Sequence, residues 1–258
     1  ILLDDSFGKN NKINIDQDLY LKNDKNTFTL KNDNDDNKIL NKMKLNSSWL
    51  GKIALNYIGI MTGGQKEMIS DKPIFKNSKP VLRGRDIGRW TYTNPGSFVN
   101  FDKSKIHSND NEAVYLSKKI LLRKTGRELI ACIDKNQFFT IQSLYNIVVK
   151  DNEYAEEYLL FLLNSTLFTY IYNKFFITNP EVFPYIKRRH LDQLPIKILS
   201  HTKQEPFINL SKRMIKLNEE LKKNPENSNK WNSTKEVNEK IIKKIDEEVY
   251  KLYGLMPE

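Results

Sequence analysis

One cysteine in 258 residues, Cys132, excludes a disulfide scaffold and fits a reducing cytoplasm. The three histidines, His107, His190 and His201, stand at no metal-ligand spacing with one another or with Cys132, so no zinc site is expected. No Ser or Cys sits in a nucleophile elbow, and a glycine motif for a nucleotide cofactor is missing. Gly63-Gly64 is followed by Gln65-Lys66 rather than by Gly-Lys-Ser/Thr, and reads as a turn, not a phosphate loop. The Glu-x-Lys of nucleases occurs once, as Glu220-Leu221-Lys222, on a helix-period stretch instead of a strand following an Asp. On its own the chain is expected to have no catalytic residue, cofactor or metal. It opens on Ile1 with no basic n-region and apolar h-region, which reads as a fragment or processed chain without a signal peptide, located in the cytoplasm.

An uninterrupted apolar run of membrane-spanning length is also missing. The most apolar stretch, residues 154–177, contains Asn164, Ser165, Thr166, Thr169, Asn173 and Lys174, which argue against a membrane span. It reads as a helix buried against a sheet, with Glu153, Glu156 and Glu157 at the positive end of its dipole.

Arginine is scarce, at 8 residues against 34 Lys, and its placement is therefore informative. Seven of the eight lie between Arg83 and Arg189. Residues 47–200 hold 22 basic against 14 acidic side chains, whereas 1–46 hold 8 against 8 and 201–258 hold 12 against 10. A positive excess confined to the middle of a chain with pI near 9.3 is the footprint expected for a polyanion partner. Three clusters carry it. Lys79-Pro80-Val81-Leu82-Arg83-Gly84-Arg85-Asp86-Ile87-Gly88-Arg89 sets three arginines around a glycine turn. Arg123 and Arg127 stand on the shoulders of Lys124-Thr125-Gly126, and Lys187-Arg188-Arg189 follows a proline-rich loop. A planar guanidinium fork grips guanine edges or phosphates bidentately, which Lys cannot do. The plainer alternative, a surface ion-pair cluster in which Asp86 pins Arg83 or Arg85, stays open for each residue.

Three parts are expected: residues 1–46, a polar linker with the tail of a preceding domain; 47–200, the basic unit; and 201–258, a helical hairpin. Residues 1–7 read as a last strand of something upstream, and 8–44 as linker with a weak strand or hairpin near 20–30. Order resumes at 49–60. The runs 98–101, 119–123, 129–133 and 138–149 read as strands of one mixed or antiparallel sheet, and 196–199 as a final strand after Pro195. Phe207, Leu210, Met214, Leu217 and Leu221, then Val237, Ile241, Ile245, Val249 and Leu252, repeat at helical spacing on either side of Asn224-Pro225. The fold class is α+β: a mixed, mostly antiparallel β-sheet with a buried helix packed on it, plus a C-terminal antiparallel helical hairpin whose seam is self-buried or shared with a partner.

Several blocks resemble the TaqI-like C-terminal specificity domain of type IIG restriction-modification enzymes and N6-adenine DNA methyltransferases. Gly59-Ile60-Met61-Thr62-Gly63 is similar to that family's Gly-Ile-x-Thr-Gly opening, and Leu82-Arg83-Gly84-Arg85-Asp86-Ile87 to its Arg-Gly-Arg-Asp-Ile block. Lys119 to Gly126 resembles its basic strand-turn, Leu163-Asn164-Ser165 its "LNS" helix, and Pro184 to Pro195 its closing Leu-Pro-Ile block. The C-terminal Ile245-Asp246-Glu247-Glu248-Val249-Tyr250 is similar to the tail of many such enzymes.

The resemblance implies a target recognition domain that reads double-stranded DNA from the major groove while a neighbouring domain flips an adenine for methylation. The methyltransferase half, with its S-adenosylmethionine loop, has no counterpart here, so that cofactor and Mg are expected only on absent catalytic domains. The expected DNA-binding residues are Arg83, Arg85, Arg89, Arg123, Arg127, Lys187, Arg188 and Arg189, with Lys79, Lys124 and Gln142 beside them. The expected partners are double-stranded DNA and a methyltransferase domain or subunit, with no membrane. The alternative, from a different class, is a protein-interaction module whose hairpin docks a methyltransferase or nuclease subunit, as spacer helices do in type I specificity subunits.

Overall fold

In the computed structural model of the chain, residues 34–64, 66–176 and 184–256 are described. The strand expected at 1–7 and the hairpin expected near 20–30 lie outside them. Helix α1 (Asn34–Lys44) comes first, with Asp35 and Asp36 in its first turn and Lys42 and Lys44 in its last, as the helix dipole favours. This stretch differs from the linker expected there. Met43 is fully buried, and the Asp36 carboxylate accepts from the Tyr170 hydroxyl and pairs with Lys174 at 3.1 Å. Two anchors outweigh a composition that looks like linker.

The strand-rich half follows: β1 (Ser47–Trp49), α2 (Leu50–Ile53), β2 (Ala54–Ile58), β3 (Ile69–Ser70), β4 (Ser78–Leu82), β5 (Ile87–Gly88), β6 (Thr91–Tyr92), β7 (Phe98–Asn100), α3 (Glu112–Leu116), β8 (Lys119–Arg123), β9 (Ala131–Asp134), β10 (Phe139–Thr140) and β11 (Leu144–Val149). The helical half is α4 (Glu156–Leu163), α5 (Thr166–Ile171), a π-helical turn (Tyr172–Phe176), α6 (Arg188–Asp192), β12 (Pro195–Lys197), α7 (His201–Lys223) and α8 (Asn229–Leu252).

The one sheet expected resolves into two four-stranded sheets and two small ribbons. The central sheet is antiparallel in the order β2-β11-β8-β9, with Ile147 opposite Ile120 and Leu121 opposite Cys132. Its strands are apolar on both faces because both are covered. Period-two alternation sends Ile120, Leu122, Ala131, Ile133, Tyr145 and Ile147 toward the helices, and Leu121, Cys132 and Leu144 toward Leu82 and Ile87. The second sheet, β10-β4-β7-β3, is mixed: β10 runs parallel to β4 and the other pairs are antiparallel. Its own small core includes Val81, Val99, Phe101 and Phe139, with Tyr115 stacked on Phe139 at 4.6 Å. The sheets meet at Gly59, where a Cβ would lie 2.3 Å from the Ile141 carbonyl oxygen, so only glycine fits.

Helix α4 reads EEYLLFLL and buries its last six residues, since the central sheet lies on one side of it and α7 on the other. The single helix expected from 154 to 177 is broken at Leu163-Asn164-Ser165. The Asn164 side-chain amide donates to the Ala131 carbonyl at 3.0 Å and accepts from the Ala131 N–H at 2.9 Å, satisfying the outer edge of β9. Ser165 caps α5 by accepting from the Phe168 N–H at 3.3 Å. The hairpin α7–α8 is docked on this layer. Phe207 packs on Phe161 with ring centroids 4.9 Å apart, and Ser211 donates to the Glu157 carbonyl at 2.6 Å. Gln204 is buried at the start of α4, accepting from the Ala155 N–H at 3.1 Å and donating to the Glu153 carbonyl at 2.6 Å. Met214, Ile241, Ile245 and Val249 then join the same core as Met43 and Leu160.

Candidate nucleic-acid interface

The loops expected to carry DNA contacts come together at one end of the central sheet, where β8 ends and β11 begins. The connections run through the backbone. The Gly84 N–H donates to the Ser143 hydroxyl at 2.8 Å, and the Lys124 N–H to the Ser143 carbonyl at 2.9 Å. Ile186 N–H reaches the Lys124 carbonyl and Gly126 N–H the Pro184 carbonyl, both at 2.9 Å, while Thr125 and Tyr185 form an isolated bridge. The Gln142 N–H donates to the Ile60 carbonyl at 2.9 Å. Gly126 has φ of +125°, a conformation side chains resist, which is why this turn carries glycine between its flanking cations. Four loops, around residues 84, 125, 142 and 186, thus form one hydrogen-bonded edge.

Within that edge the cations divide into two groups. Arg85 is 73% exposed, with Asp86 at 3.8 Å, and Arg188 is 62% exposed, with Asp192 at 3.8 Å. Arg127, Arg189 and Gln142 are exposed as well. Lys124 and Lys187 both lie over the Tyr185 ring, with Nζ at 6.0 and 5.8 Å from its centroid. The second group is half-buried. Arg83 Nη2 donates to the Ser97 hydroxyl at 2.7 Å, and the Arg83 N–H to the Asp86 carboxylate at 2.7 Å. Arg123 Nε donates to the Gly84 carbonyl at 2.8 Å and Nη2 to the Ile87 carbonyl. Arg89, at the tip of the β5–β6 ribbon, donates to the Leu129 carbonyl at 3.4 Å and faces Glu128 at 3.6 Å. Lys79 lies on β4 in the second sheet, paired with Glu112 at 2.8 Å and over the Phe139 ring; it takes no part in the loop connections.

Two residues at the edge escaped the sequence reading. Ser143 joins the first and second basic loops through its hydroxyl and its carbonyl. Its only sequence signal is its place in the short turn between two strand-like runs. Tyr185, 37% exposed, carries two lysines on its ring, and an aromatic beside a basic run is a recognisable pattern in nucleic-acid-binding segments. Beside them, His190 stacks on Phe176 with centroids 5.4 Å apart, and its Nε2 accepts from Arg189 Nε at 3.1 Å. Burial, together with Arg189 and Lys187, holds the imidazole pKa below its ordinary value, which favours the neutral ring that this acceptor role needs. Among the described residues no group of three or more His, Cys, Asp or Glu could hold a metal ion. No described helix is long and apolar enough to cross a membrane.

Comparison with known proteins finds counterparts to part of this geometry. Residues 79–196 match the TaqI-like C-terminal specificity domain. The matched specificity-domain segment holds the Arg83-Gly84-Arg85-Asp86 turn, the Lys124-Thr125-Gly126 turn, the Asn164 joint and Lys187-Arg188-Arg189, so the resemblance read from the sequence is borne out over this range. No curated protein sequence matches the chain. Among solved structures, the type IIL restriction-modification enzyme MmeI in complex with DNA is similar in fold, with a TM-score of 0.53 at 10% identity over 82% of this chain and 34% of that one. The HsdS subunit from Thermoanaerobacter tengcongensis matches at a TM-score of 0.46 and 11% identity, over 86% of this chain and 52% of that one. The type I restriction-modification S subunit from M. genitalium matches at 0.41 and 16%, over 69% and 40%. The chain thus spans between a third and about half of the length of these structures.

Proposed function

We propose that the chain is a double-stranded DNA target recognition module of a restriction-modification system. Residues 47–200 would make the recognition unit, and 201–258 a helical hairpin that spaces or docks it. The observation that carries this reading is the convergence of three separated basic clusters on one hydrogen-bonded edge, with Arg85, Lys124, Arg127, Lys187, Arg188 and Arg189 on its loops and Gln142 beside them. Exposed guanidinium groups at such an edge can meet base edges bidentately, and the lysines held on Tyr185 can meet phosphates. The match to a specificity domain supports the same reading. The finer assignment, a type IIG enzyme or adenine methyltransferase whose catalytic domain binds S-adenosylmethionine and Mg, belongs to this proposal too, as does a cytoplasmic setting. The test is a selection from a pool of randomised duplexes with the retained molecules sequenced. An enriched motif of a few base pairs supports the module; retention without any enriched motif, at every salt concentration, refutes sequence recognition by this chain.

A second reading is favoured beside the residues that enter and leave the hairpin. Leu45 is 64% exposed, Ile198 55% and Met256 41%, and they are drawn together by bonds from the Ile198 N–H to the Asn46 carbonyl, from Lys197 Nζ to the Leu45 carbonyl and from Lys42 Nζ to the Gly254 carbonyl. An apolar group of this kind suits a protein partner, here a methyltransferase domain or subunit. Deleting residues 204–258 would strip the cover from α4, so the test is Leu45→Asp with Ile198→Asp. Loss of partner capture with DNA binding retained supports docking; retained capture refutes it.

A further inference from the structure

The arginines of the basic edge differ in what their guanidinium groups touch, and Arg123 is the extreme case. It is the last residue of β8, and its fork is directed back into the protein. Nε donates to the Gly84 carbonyl at 2.8 Å and Nη2 to the Ile87 carbonyl. Those two carbonyls belong to the first residue of the 3₁₀ turn Gly84–Asp86 and to the residue that follows it, so one side chain spans the turn. The turn has further ties. Ser143 accepts from the Gly84 N–H at 2.8 Å, the Asp86 carboxylate accepts from the Arg83 N–H at 2.7 Å, and the Arg83 carbonyl accepts from the Asp86 N–H at 2.9 Å. Of the turn's side chains, only that of Arg85 extends into solvent, 73% exposed.

We infer that Arg123 is a positioning residue for DNA recognition rather than a contact to it: its guanidinium clamps the Gly84–Asp86 turn and so fixes the direction in which Arg85 leaves the protein. The inference rests on the DNA reading proposed above and deepens it. A long, exposed arginine side chain loses rotamer freedom when it engages a base, and a loop fixed beforehand lowers the cost of doing so. The planar fork is essential to the clamp. A lysine at position 123 keeps the charge but presents a single ammonium group, which cannot hold two carbonyls in the same plane.

The experiment uses the whole chain and a duplex selected from the randomised pool. Arg123→Lys is expected to weaken binding about tenfold, as loss of one well-placed arginine contact does. In an Arg85→Ala background the same change is expected to weaken it by less than about twofold, because coupled residues do not add. Arg123→Lys binding as tightly as the parent, with charge alone sufficing, overturns the inference. So does a tenfold loss that persists in full without Arg85, which marks an independent contact. Since Arg123→Lys could disturb folding, the Arg Nε–H resonances of the unsubstituted protein give a second readout. The Arg123 Nε–H is expected to exchange slowly in the free protein and to stay unshifted when duplex is added, while that of Arg85 moves. An Arg123 resonance that exchanges freely, or that shifts together with Arg85, overturns the assignment. Should the unsubstituted protein fail to bind the duplex at any salt concentration, the DNA reading falls, and the positioning role falls with it, an outcome distinct from all of these.

Discussion

The two ends of strand β8 put a cation to opposite uses. At its start, Lys119 is fully buried, paired with Asp134 at 2.6 Å and donating to the Tyr115 carbonyl. Burial depresses its pKa, and the Asp134 charge opposes the shift. Asp134 in turn accepts from the Asn136 and Phe138 N–H groups at 2.8 and 2.9 Å, so the pair closes the turn leading to β10. At the other end, four residues on, Arg123 ties together loops whose remaining cations stay exposed. A buried ion pair is fixed by desolvation and contributes chiefly to which turn forms; an exposed set keeps its charges available to a partner. The comparison teaches that a cation on this strand serves the fold where it is buried against a counter-charge, and that the cations at its other end keep their solvent exposure.

Substitutions at the two ends should therefore separate stability from binding. Lys119→Met leaves Asp134 buried without its counter-charge, and is expected to cost about 3–5 kcal/mol in urea unfolding while the salt dependence of DNA binding stays that of the parent. A fall in the salt slope would break the distinction. Asn164→Ala removes both bonds to Ala131 and exposes the β9 edge to an unsatisfied environment; an expected loss of about 1–3 kcal/mol, read by the same unfolding curves, sharpens the picture of the far layer as scaffold. The smallest effect belongs to His190. Its folded pKa lies below the ordinary 6.5, so on acidification the unfolded chain takes up a proton first. Stability is complete above pH 6.5 and declines as pH falls from there toward the lowered folded value. His190→Phe should flatten that decline in a pH series of melting curves, and an unchanged slope would contradict the assignment.

Much of this was legible in the sequence, and what was not has a physical reason. The β-branched and aromatic runs marked β7, β8, β9, β10 and β11 but not β2, β3 or β4, the helical spacing around Asn224-Pro225 marked the α7–α8 hairpin, and the Arg-Gly-Arg-Asp turn pointed to the specificity-domain resemblance. Helix α1 was hidden because its polar composition is that of a linker, and the Tyr170 and Lys174 that anchor Asp36 are distant in sequence. The α4–α5 break was hidden because Asn164 finds its partner 33 residues away, on β9. The division among arginines is of the same kind: Arg123 bonds to carbonyls 36 and 39 residues earlier, and no local pattern distinguishes it from Arg85 or Arg188.

The central claim, that the exposed cations of the β8–β11 edge hold DNA, is tested most directly by salt titration of duplex binding. The parent would be compared with a variant carrying Arg85→Ala, Lys124→Ala, Lys187→Ala and Arg188→Ala. The account predicts a loss of affinity of about a hundredfold and a slope of log affinity against log salt lowered by about 0.9 for each phosphate contact removed, with unfolding unchanged to within about 0.5 kcal/mol per substitution. A variant that keeps the parent's affinity and slope would contradict it.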